Sequence, residues 1–273
     1  MEQFKKKNIT EKIICISDVT NVHMYLVLGT DRAALIDTGT GAGNLMGYVR
    51  SITSLPITVL LTHGHCDHAG GAAPFDEVYL PDEDMELVKV HASMTRKVEY
   101  IGFSGGADFP VDMICAERVK PYRSLTDGME FDLGGITLKA LRLAGHTKGM
   151  TCILFKEDRI MLMGDACNPA TFLWDEESLT TTEYLRNLEE FRKWDSMYDR
   201  VLLSHGDEVL CKKEIIEGAI EVCNEIIAGK DDKIPFKFMD YQGLRMAKAI
   251  DPLTFQRIDN GLGNIVYNIK KIS

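Results

Sequence analysis

Short apolar runs, separated by glycine, proline and polar turns, recur along the whole chain. Runs at residues 13–17, 24–28 and 33–36 have the length and side chains of strands, with a turn at 29–31. Further strands are predicted at 57–61, 77–80 and 200–203. Two hairpins are also predicted: one joins 129–133 to 136–143 across Gly134 and Gly135, and the other joins 152–155 to 160–163.

Segments with helical spacing of apolar residues alternate with these strands. The spacing is clearest at 181–194 and 212–228, and segments 43–52, 82–90 and 244–249 also predict helices. Strands are predicted again at 255–258 and 264–269. Because no repeat or low-complexity tract interrupts this alternation, the pattern predicts one α/β domain over residues 1–273. Residues 91–125 are predicted to form an insertion that lines the pocket. Their glycine-rich stretch at 102–110 is typical of a mobile flap.

The predicted strand at 57–61 runs directly into a cluster of polar side chains. His63, His65, Asp67 and His68 lie within six consecutive residues. Imidazole and carboxylate groups are ligands of divalent metal ions, and a solvated surface loop has no reason to collect three imidazoles. A loop at a strand end is held by the sheet and stays open to solvent. The cluster therefore predicts a metal site that substrate can reach.

Histidine and aspartate side chains also follow three later predicted strands. They are His146 in Ala-Gly-His-Thr, Asp165 in Met-Gly-Asp and His205 in Ser-His-Gly. Taken singly, each is more often a turn or cap residue than a ligand. Their order after the first cluster is what indicates a shared site. His23 and His91 lack such a context and are interpreted as surface or supporting histidines, and Cys66 and Cys167 as bystander thiols.

Composition and charge exclude several classes of function. The formal net charge of -10 and the pI near 5.2 repel polyanions, so a general nucleic-acid surface is not expected. The seven cysteines are scattered without disulfide or Cys-x-x-Cys spacing, which favours reduced thiols in a cytoplasmic protein. No segment has the length and apolar character of a membrane span or an export signal. The oligomeric state stays open, and a homodimer is one of the alternatives.

In the order of these motifs the sequence resembles the metallo-β-lactamase-fold hydrolase superfamily, from about residue 13 to residue 206. The resemblance implies an αββα four-layer sandwich with a metal site at the edge of its two sheets. It also implies a set of ligands: His63, His65 and His146 for a first ion, Asp67, His68 and His205 for a second, and Asp165 as a bridge. Two such ions lower the pKa of a shared water molecule, and Asp67 would orient it.

Departures from family patterns narrow the expected reaction. Asp165 stands where lactamase members with a cysteine ligand usually carry that cysteine, and His65 stands where the redox-active diiron members carry glutamate. The site therefore looks more like that of glyoxalase II, lactonases and phosphodiesterases, although no glutathione site is evident after Gly206. We expect a hydrolase that cleaves a small ester, thioester, lactone or phosphodiester by attack of a metal-bound hydroxide.

Two other functions fit the same residues. One is a non-haem iron oxidoreductase such as a sulfur dioxygenase, and the other is a non-catalytic module that the metal stabilises. The cofactor is expected to be two divalent ions, with zinc as the default and iron or manganese as the alternatives. The partner is a small-molecule substrate, and no motif identifies it. Phe172 and Trp174 follow Asp165 closely enough to line a pocket, but core packing accounts for them equally well.

Overall fold

The computed structural model describes residues 3–238, 241–251 and 256–273, and its first sheet contains seven strands that lie side by side in chain order. They are Lys5–Asn8 (β1), Ile13–Ser17 (β2), His23–Leu28 (β3), Ala33–Ile36 (β4), Ile57–Leu60 (β5), Glu77–Pro81 (β6) and Arg123–Leu125 (β7). The strands from β1 to β4 pair antiparallel and those from β4 to β7 pair parallel. The exposed lysines of β1 protect the sheet edge from further pairing.

Two more sheets complete the architecture. The second has six strands in the order β14-β13-β11-β10-β9-β8, and the third has four in the order β12-β17-β16-β15. Their bounds are Glu130–Asp132 (β8), Thr137–Arg142 (β9), Thr151–Phe155 (β10), Ile160–Leu162 (β11), Thr171–Leu173 (β12), Arg200–Leu202 (β13), Leu210–Lys212 (β14), Ile234–Pro235 (β15), Leu244–Met246 (β16) and Ile265–Asn268 (β17). Both predicted hairpins are present, as the antiparallel pairs β8–β9 and β10–β11.

The prediction of a helix at 244–249 is wrong. Residues Leu244–Met246 form a strand whose burial alternates, with Leu244 and Met246 buried and Arg245 half-buried, and it pairs antiparallel with β17. A run this short carries no decisive helical period, so pairing within the third sheet decides its conformation. Part of the strand predicted at 255–258 lies outside the described residues, and Arg257 forms only an isolated bridge with Ile250.

Helices cover the outer faces of the first two sheets. They are Leu45–Ile52 (α1), Cys66–Ala69 (α2), Leu87–His91 (α3), Met94–Ile101 (α4), Thr181–Phe191 (α5) and Ile215–Ile227 (α6). The helix predicted at 82–90 is divided into a 3-10 turn at Asp82–Asp84 and α3. Within the glycine-rich stretch at 102–110, Gly102–Gly106 continues α4 as one π-helical turn, which Gly105 interrupts at a φ of +86°.

Three apolar cores separate the layers. Leu45 and Val49 of α1 pack on the outer face of the first sheet. Tyr25 and Ile153 belong to the core between the two sheets. On the far side, α5 and α6 pack on the second sheet through side chains such as Tyr184, Leu188, Ala219 and Cys223. The order helix, sheet, sheet, helix confirms the predicted αββα sandwich.

No helix within residues 3–238, 241–251 and 256–273 combines the length and apolar character needed to cross a membrane.

Two buried hydrogen bonds join the sheets next to the cluster of histidines. The Tyr25 hydroxyl on β3 donates to the carbonyl of Leu203, just after β13. The backbone N–H of Thr151 on β10 donates to the carbonyl of Thr62, 2.9 Å away, just after β5. The loops that leave β5 and β13 are thereby held in fixed positions.

We predict that Tyr25→Phe lowers the free energy of unfolding by about 1–2 kcal/mol, because the substitution leaves the buried Leu203 carbonyl without its donor. Urea unfolding followed by circular dichroism measures the change. Tyr79→Phe is the control, since its hydroxyl contacts only part-exposed side chains among the described residues, Glu77 at 3.4 Å and Arg123 at 3.2 Å. Equal stabilities for the two variants would contradict a role for the inter-sheet bond.

Candidate metal centre

The geometry of the second sheet shows why three distant sequence positions meet. β9 and β11 run in the same direction because each pairs antiparallel with β10, and β13 pairs parallel with β11. The carboxyl ends of β9, β11 and β13 therefore lie at one edge of the sheet. His146, Asp165 and His205 follow these ends, and the loop after β5 of the first sheet faces them.

The seven predicted side chains form two adjacent clusters. The first contains His63, His65 and His146, and the second contains Asp67, His68, Asp165 and His205. Within each cluster one potential ligand atom per residue lies within 4.8 Å of the others. Six of the seven residues are buried, and the side chain of His205 is the accessible one, at 35% exposure. The structure thus brings together every residue that the motifs identified, and their role as ligands stays a prediction.

Asp165 lies between the two clusters. Its Oδ2 atom is 3.1 Å from Nε2 of His68 and 3.2 Å from Nε2 of His205 in its own cluster. The same oxygen is 3.7 Å from Nε2 of His146 and 4.0 Å from Nε2 of His63 in the first cluster. One carboxylate oxygen that faces imidazoles from both clusters has the position required of a bridging ligand.

Unsatisfied nitrogen atoms provide a test of whether these residues suit a metal. The Nε2 atoms of His63, His65 and His68 are buried and have no partner with hydrogen-bond geometry among the described residues. A buried polar atom without a partner costs about 1–3 kcal/mol. Coordination to a divalent cation would remove that cost, and the mixed imidazole and carboxylate donors suit zinc, iron or manganese. The residues present therefore fit a metal.

Electrostatics differ between the clusters in a way that favours cations. Burial and the neighbouring imidazoles lower the pKa of His63 well below its usual value, so the ring stays neutral with a free lone pair. In the second cluster burial alone would raise the pKa of Asp165, but His205 and His68 hold it well below the usual range. Burial alone would lower the pKa of His68, but Asp67 and Asp165 raise it well above its usual value, so a cation would displace that proton when it binds. A neutral His63 and a charged Asp165 are already in the protonation states in which these groups bind metal.

Asp37 controls the orientation of one histidine in each cluster. It follows β4 with a φ of +61°, and its Oδ2 atom accepts hydrogen bonds from the Thr62 hydroxyl at 2.8 Å and from Nδ1 of His68 at 2.8 Å. Because the Thr62 hydroxyl gives its proton to Asp37, it accepts from Nδ1 of His63, 3.0 Å away. Both rings consequently carry their proton on Nδ1 and direct a lone pair on Nε2 toward the clusters.

Asp84 connects the two loops that carry the first cluster. Its carboxylate accepts from the backbone N–H of Gly64 at 2.9 Å, the Thr147 hydroxyl at 2.8 Å and the backbone N–H of Gly149 at 2.9 Å. Gly64 lies between two histidines of that cluster, and Thr147 follows the third. At 1% exposure the carboxylate is shielded from water, so these bonds set the distance between the loops.

Two histidines that were interpreted as surface or supporting residues make further contacts near the clusters. Nδ1 of His23 accepts from the Ser17 hydroxyl at 2.8 Å, and its Nε2 donates to the carbonyl of Gly206 at 2.6 Å, beside His205. The ring of His91 stacks on that of His65 with centroids 4.6 Å apart. Neither His23 nor His91 belongs to a cluster among the described residues.

Cys66 also lies outside both clusters of the described chain. Residues Cys66–Ala69 form a helical turn, which buries the thiol away from the cluster and raises its pKa. Cys167 packs in the core against α6, with its sulfur 3.6 Å from the carbonyl of Ile215.

Sequence reasoning missed three residues that act at the site. Asp37 follows a strand end, so the rule that identified Asp165 could have found it. Asp84 lies in the acidic turn after β6, where the sequence predicts only a helix. Tyr100, at the end of α4 in the predicted insertion, directs its hydroxyl to the Asp67 carboxylate; burial and this carboxylate raise the pKa of the phenol well above its usual value. No local signal marks the last contact.

Comparisons with known proteins agree with this geometry. A family model described as the metallo-beta-lactamase superfamily matches residues 17–205. An acyl-coenzyme A thioesterase from Gallus gallus is 28% identical over 162 residues, which cover 52% of this chain and 56% of that protein. An atrochrysone carboxyl ACP thioesterase from Aspergillus novofumigatus is 27% identical over 145 residues, which cover 52% of this chain and 37% of that protein. The chain thus spans only part of these relatives.

A solved structure shares the fold. The metallo-beta-lactamase from Pontibacter korlensis superimposes with a TM-score of 0.61 at 16% identity, over 80% of this chain and 98% of that one.

We predict that Asp37→Asn weakens metal binding at both clusters by about 10–100-fold, because it removes the acceptor that orients one histidine of each. Metal analysis after equilibrium dialysis against a competing chelator measures the loss. Asp76→Asn is the control, as its side chain is 94% exposed and pairs only with Lys120 among the described contacts. Retention of both ions at native affinity would show that Asp37 does not orient the ligands.

Asp84→Asn should act on one cluster. Its three hydrogen bonds connect only the loops of His63, His65 and His146, so we expect the affinity of that cluster to fall about 10–100-fold while the second cluster keeps its ion. A metal titration that resolves the two binding steps distinguishes this pattern from the loss of both ions. Equal weakening of the two steps would argue against the assignment.

Proposed function

The chain belongs to the metallo-beta-lactamase superfamily, and we propose that it is a dinuclear metal-dependent hydrolase of acyl thioesters. The observation that carries the proposal is the pair of adjacent clusters with buried, unsatisfied imidazole nitrogens on both sides of Asp165. One cluster would suffice for a structural ion. Two clusters that face one carboxylate oxygen, with an accessible histidine at the edge, favour hydrolysis.

The proposed ligands follow the two clusters. His63, His65 and His146 would hold one ion, and Asp67, His68 and His205 the other, with Asp165 between them. Bound divalent ions would polarise the thioester carbonyl and lower the pKa of a water molecule. Zinc is the default for these donors, with iron or manganese as the alternatives.

The residues of the chain supply orientation and proton acceptance. The Asp67 carboxylate lies 3.5 Å from Nε2 of His68 and 3.5 Å from Nε2 of His205, at the accessible side of the second cluster. From there it can accept a hydrogen bond from the attacking water and align it with the carbonyl carbon. The Tyr100 hydroxyl faces the same carboxylate and limits its rotation. Asp67 is therefore the proposed catalytic residue.

The chemistry of the leaving group supports a thioester. In the reaction an oxygen–carbon bond forms, the carbon–sulfur bond breaks, and the sulfur departs as a thiolate. Because a thiol has a pKa of about 8.5, the thiolate leaves without a proton donor, whereas an alkoxide or an amine needs one. Two relatives that match just over half of this chain are described as thioesterases, of acyl-coenzyme A and of an acyl carrier protein.

We predict hydrolysis of acyl-coenzyme A thioesters by the metal-loaded protein, and a loss of at least about 100-fold in kcat/KM for Asp67→Asn. Release of the free thiol measures the rate. Asp112→Asn, on the exposed 3-10 turn of the predicted insertion, is the matched control and should keep native activity. Full activity of the Asp67→Asn variant would remove Asp67 from the mechanism.

Removal of the metal should abolish the same activity. We expect dialysis against a chelator to stop hydrolysis and an added divalent ion to restore it, with the most effective ion identifying the cofactor. If no thioester, ester, lactone or phosphodiester is cleaved while the iron-loaded protein consumes oxygen with thiol substrates, the chain is an oxidoreductase of the sulfur dioxygenase type. If the protein binds metal but catalyses neither reaction, it is a non-catalytic module that the metal stabilises.

A further inference from the structure

Six aromatic side chains from three separate segments meet beside the centre. Phe103 comes from the turn after α4, Phe172 and Trp174 come from β12 and its end, and the remaining rings follow β15: Phe236, Phe238 and Tyr241. We call this group the aromatic cluster. Trp174 lies at its middle, with ring centroids 4.1 Å from Phe172, 4.7 Å from Phe238 and 5.7 Å from Tyr241. Phe103 meets Phe238 edge to face at 4.9 Å.

The aromatic cluster is joined to the proposed metal ligands at two points. On one side the carbonyl of Phe172 accepts a hydrogen bond from Nδ1 of His146, 2.9 Å away. On the other side Tyr100 and Phe103 are spaced by about one helical turn at the end of α4, and they contact Asp67 and Phe238 respectively. The segment from Tyr100 to Phe103 therefore spans the distance from the second metal cluster to the aromatic rings.

Exposure shows that these rings are more than core packing. Trp174 is only 7% exposed, but Phe103 is 57% and Tyr241 37% exposed. The other three rings are half-buried. Apolar surface that lies open beside a reactive centre is typical of a ligand site. Covering it with a substrate removes apolar surface from water, which lowers the free energy.

The charges around the aromatic cluster determine which end of a thioester, the acyl group or the carrier, can bind there. Asp175, Glu176 and Glu177 directly follow Trp174, and all three carboxylates act on Tyr241. Two cations lie beside them: Arg96, and Lys271, whose Nζ donates to the carbonyls of Asp175 and Ser178. A carrier that bears phosphate groups would be repelled here. A neutral acyl group would meet aromatic surface with no electrostatic cost.

We propose that the aromatic cluster is the binding site for the apolar acyl group of the substrate, with Phe103 as its outer wall. This proposal rests on the proposed thioester hydrolysis and adds a specificity to it. The acyl group extends from the carbonyl at Asp67 along Tyr100 toward Trp174 and Phe238, and the anionic carrier leaves on the opposite side. Acyl groups with a terminal carboxylate are excluded by the acidic loop.

The first test compares straight-chain acyl thioesters on one carrier, coenzyme A, from acetyl to octanoyl. Because each buried methylene contributes about 0.8 kcal/mol, kcat/KM should rise by up to about fourfold per methylene until the rings are covered. Phe103→Ala should lower the octanoyl value about tenfold and leave the acetyl value within about twofold. Val119→Ala is the matched control, since this side chain is in the same insertion and 95% exposed. Hydrolysis independent of acyl length would overturn the proposal and leave the proposed function intact.

The second test measures binding without turnover. The chain has two tryptophans, so Trp194→Phe leaves Trp174 as the sole reporter. We expect octanoate to change its fluorescence with saturation, acetate to leave it unchanged, and Phe103→Ala to weaken octanoate binding about tenfold while the more conservative Phe103→Leu keeps most of the affinity. Saturable binding without any thioester hydrolysis would support the apolar site and refute the proposed function. No response of Trp174 to octanoate would overturn the proposed acyl site.

Discussion

Histidines buried at the edge of two sheets impose the strictest requirement on this protein. Each buried ring needs a partner for both nitrogens, since an unsatisfied buried nitrogen is costly. For His63 and His68 the described residues provide a hydrogen-bond partner for only one nitrogen. Asp37 holds His68 directly and His63 through Thr62, and the Phe172 carbonyl holds His146. The opposite nitrogens of His63 and His68 face the Asp165 carboxylate, and Nε2 of His146 lies 2.9 Å from Nδ1 of His65, so a cation here would satisfy several rings together.

That arrangement requires loops from different sheets to keep their positions within a fraction of an ångström. Rigid hydrogen bonds between loops meet this requirement. Asp84 connects the loop after β5 to the loop after β9, and Tyr25 and His23 connect the first sheet to the loop after β13. The polar side chains that join these loops are buried like the apolar residues around them. Displacement of either loop would therefore leave several buried polar groups without partners. Stability and the geometry of the site are thus coupled through the same few side chains.

The proposed substrate contacts come from other parts of the chain than the proposed metal ligands. The proposed ligands follow strands of the two large sheets, whereas the aromatic cluster is built from α4, the third sheet and the segment between β15 and β16. Such a division would allow the metal centre to be kept while the acyl site changes, because the aromatic side chains are not themselves among the proposed ligands. In the proposed acyl site, the charge of the acidic loop after Trp174 would discriminate between the ends of a substrate.

Local sequence was sufficient to predict most strands of the two large sheets and the seven candidate ligands, whereas the sandwich architecture was implied by the resemblance to a known superfamily. Apolar runs of strand length are local signals, and closely spaced imidazoles and carboxylates are typical of metal sites. Long-range packing determined the features that no local pattern marks. Leu244–Met246 became a strand because β17 offered a partner, and Asp84 became a connector because two loops present their N–H groups to it. The contacts of Tyr100 with Asp67 and of Phe103 with Phe238 join residues far apart in the chain, so only the folded structure could reveal them.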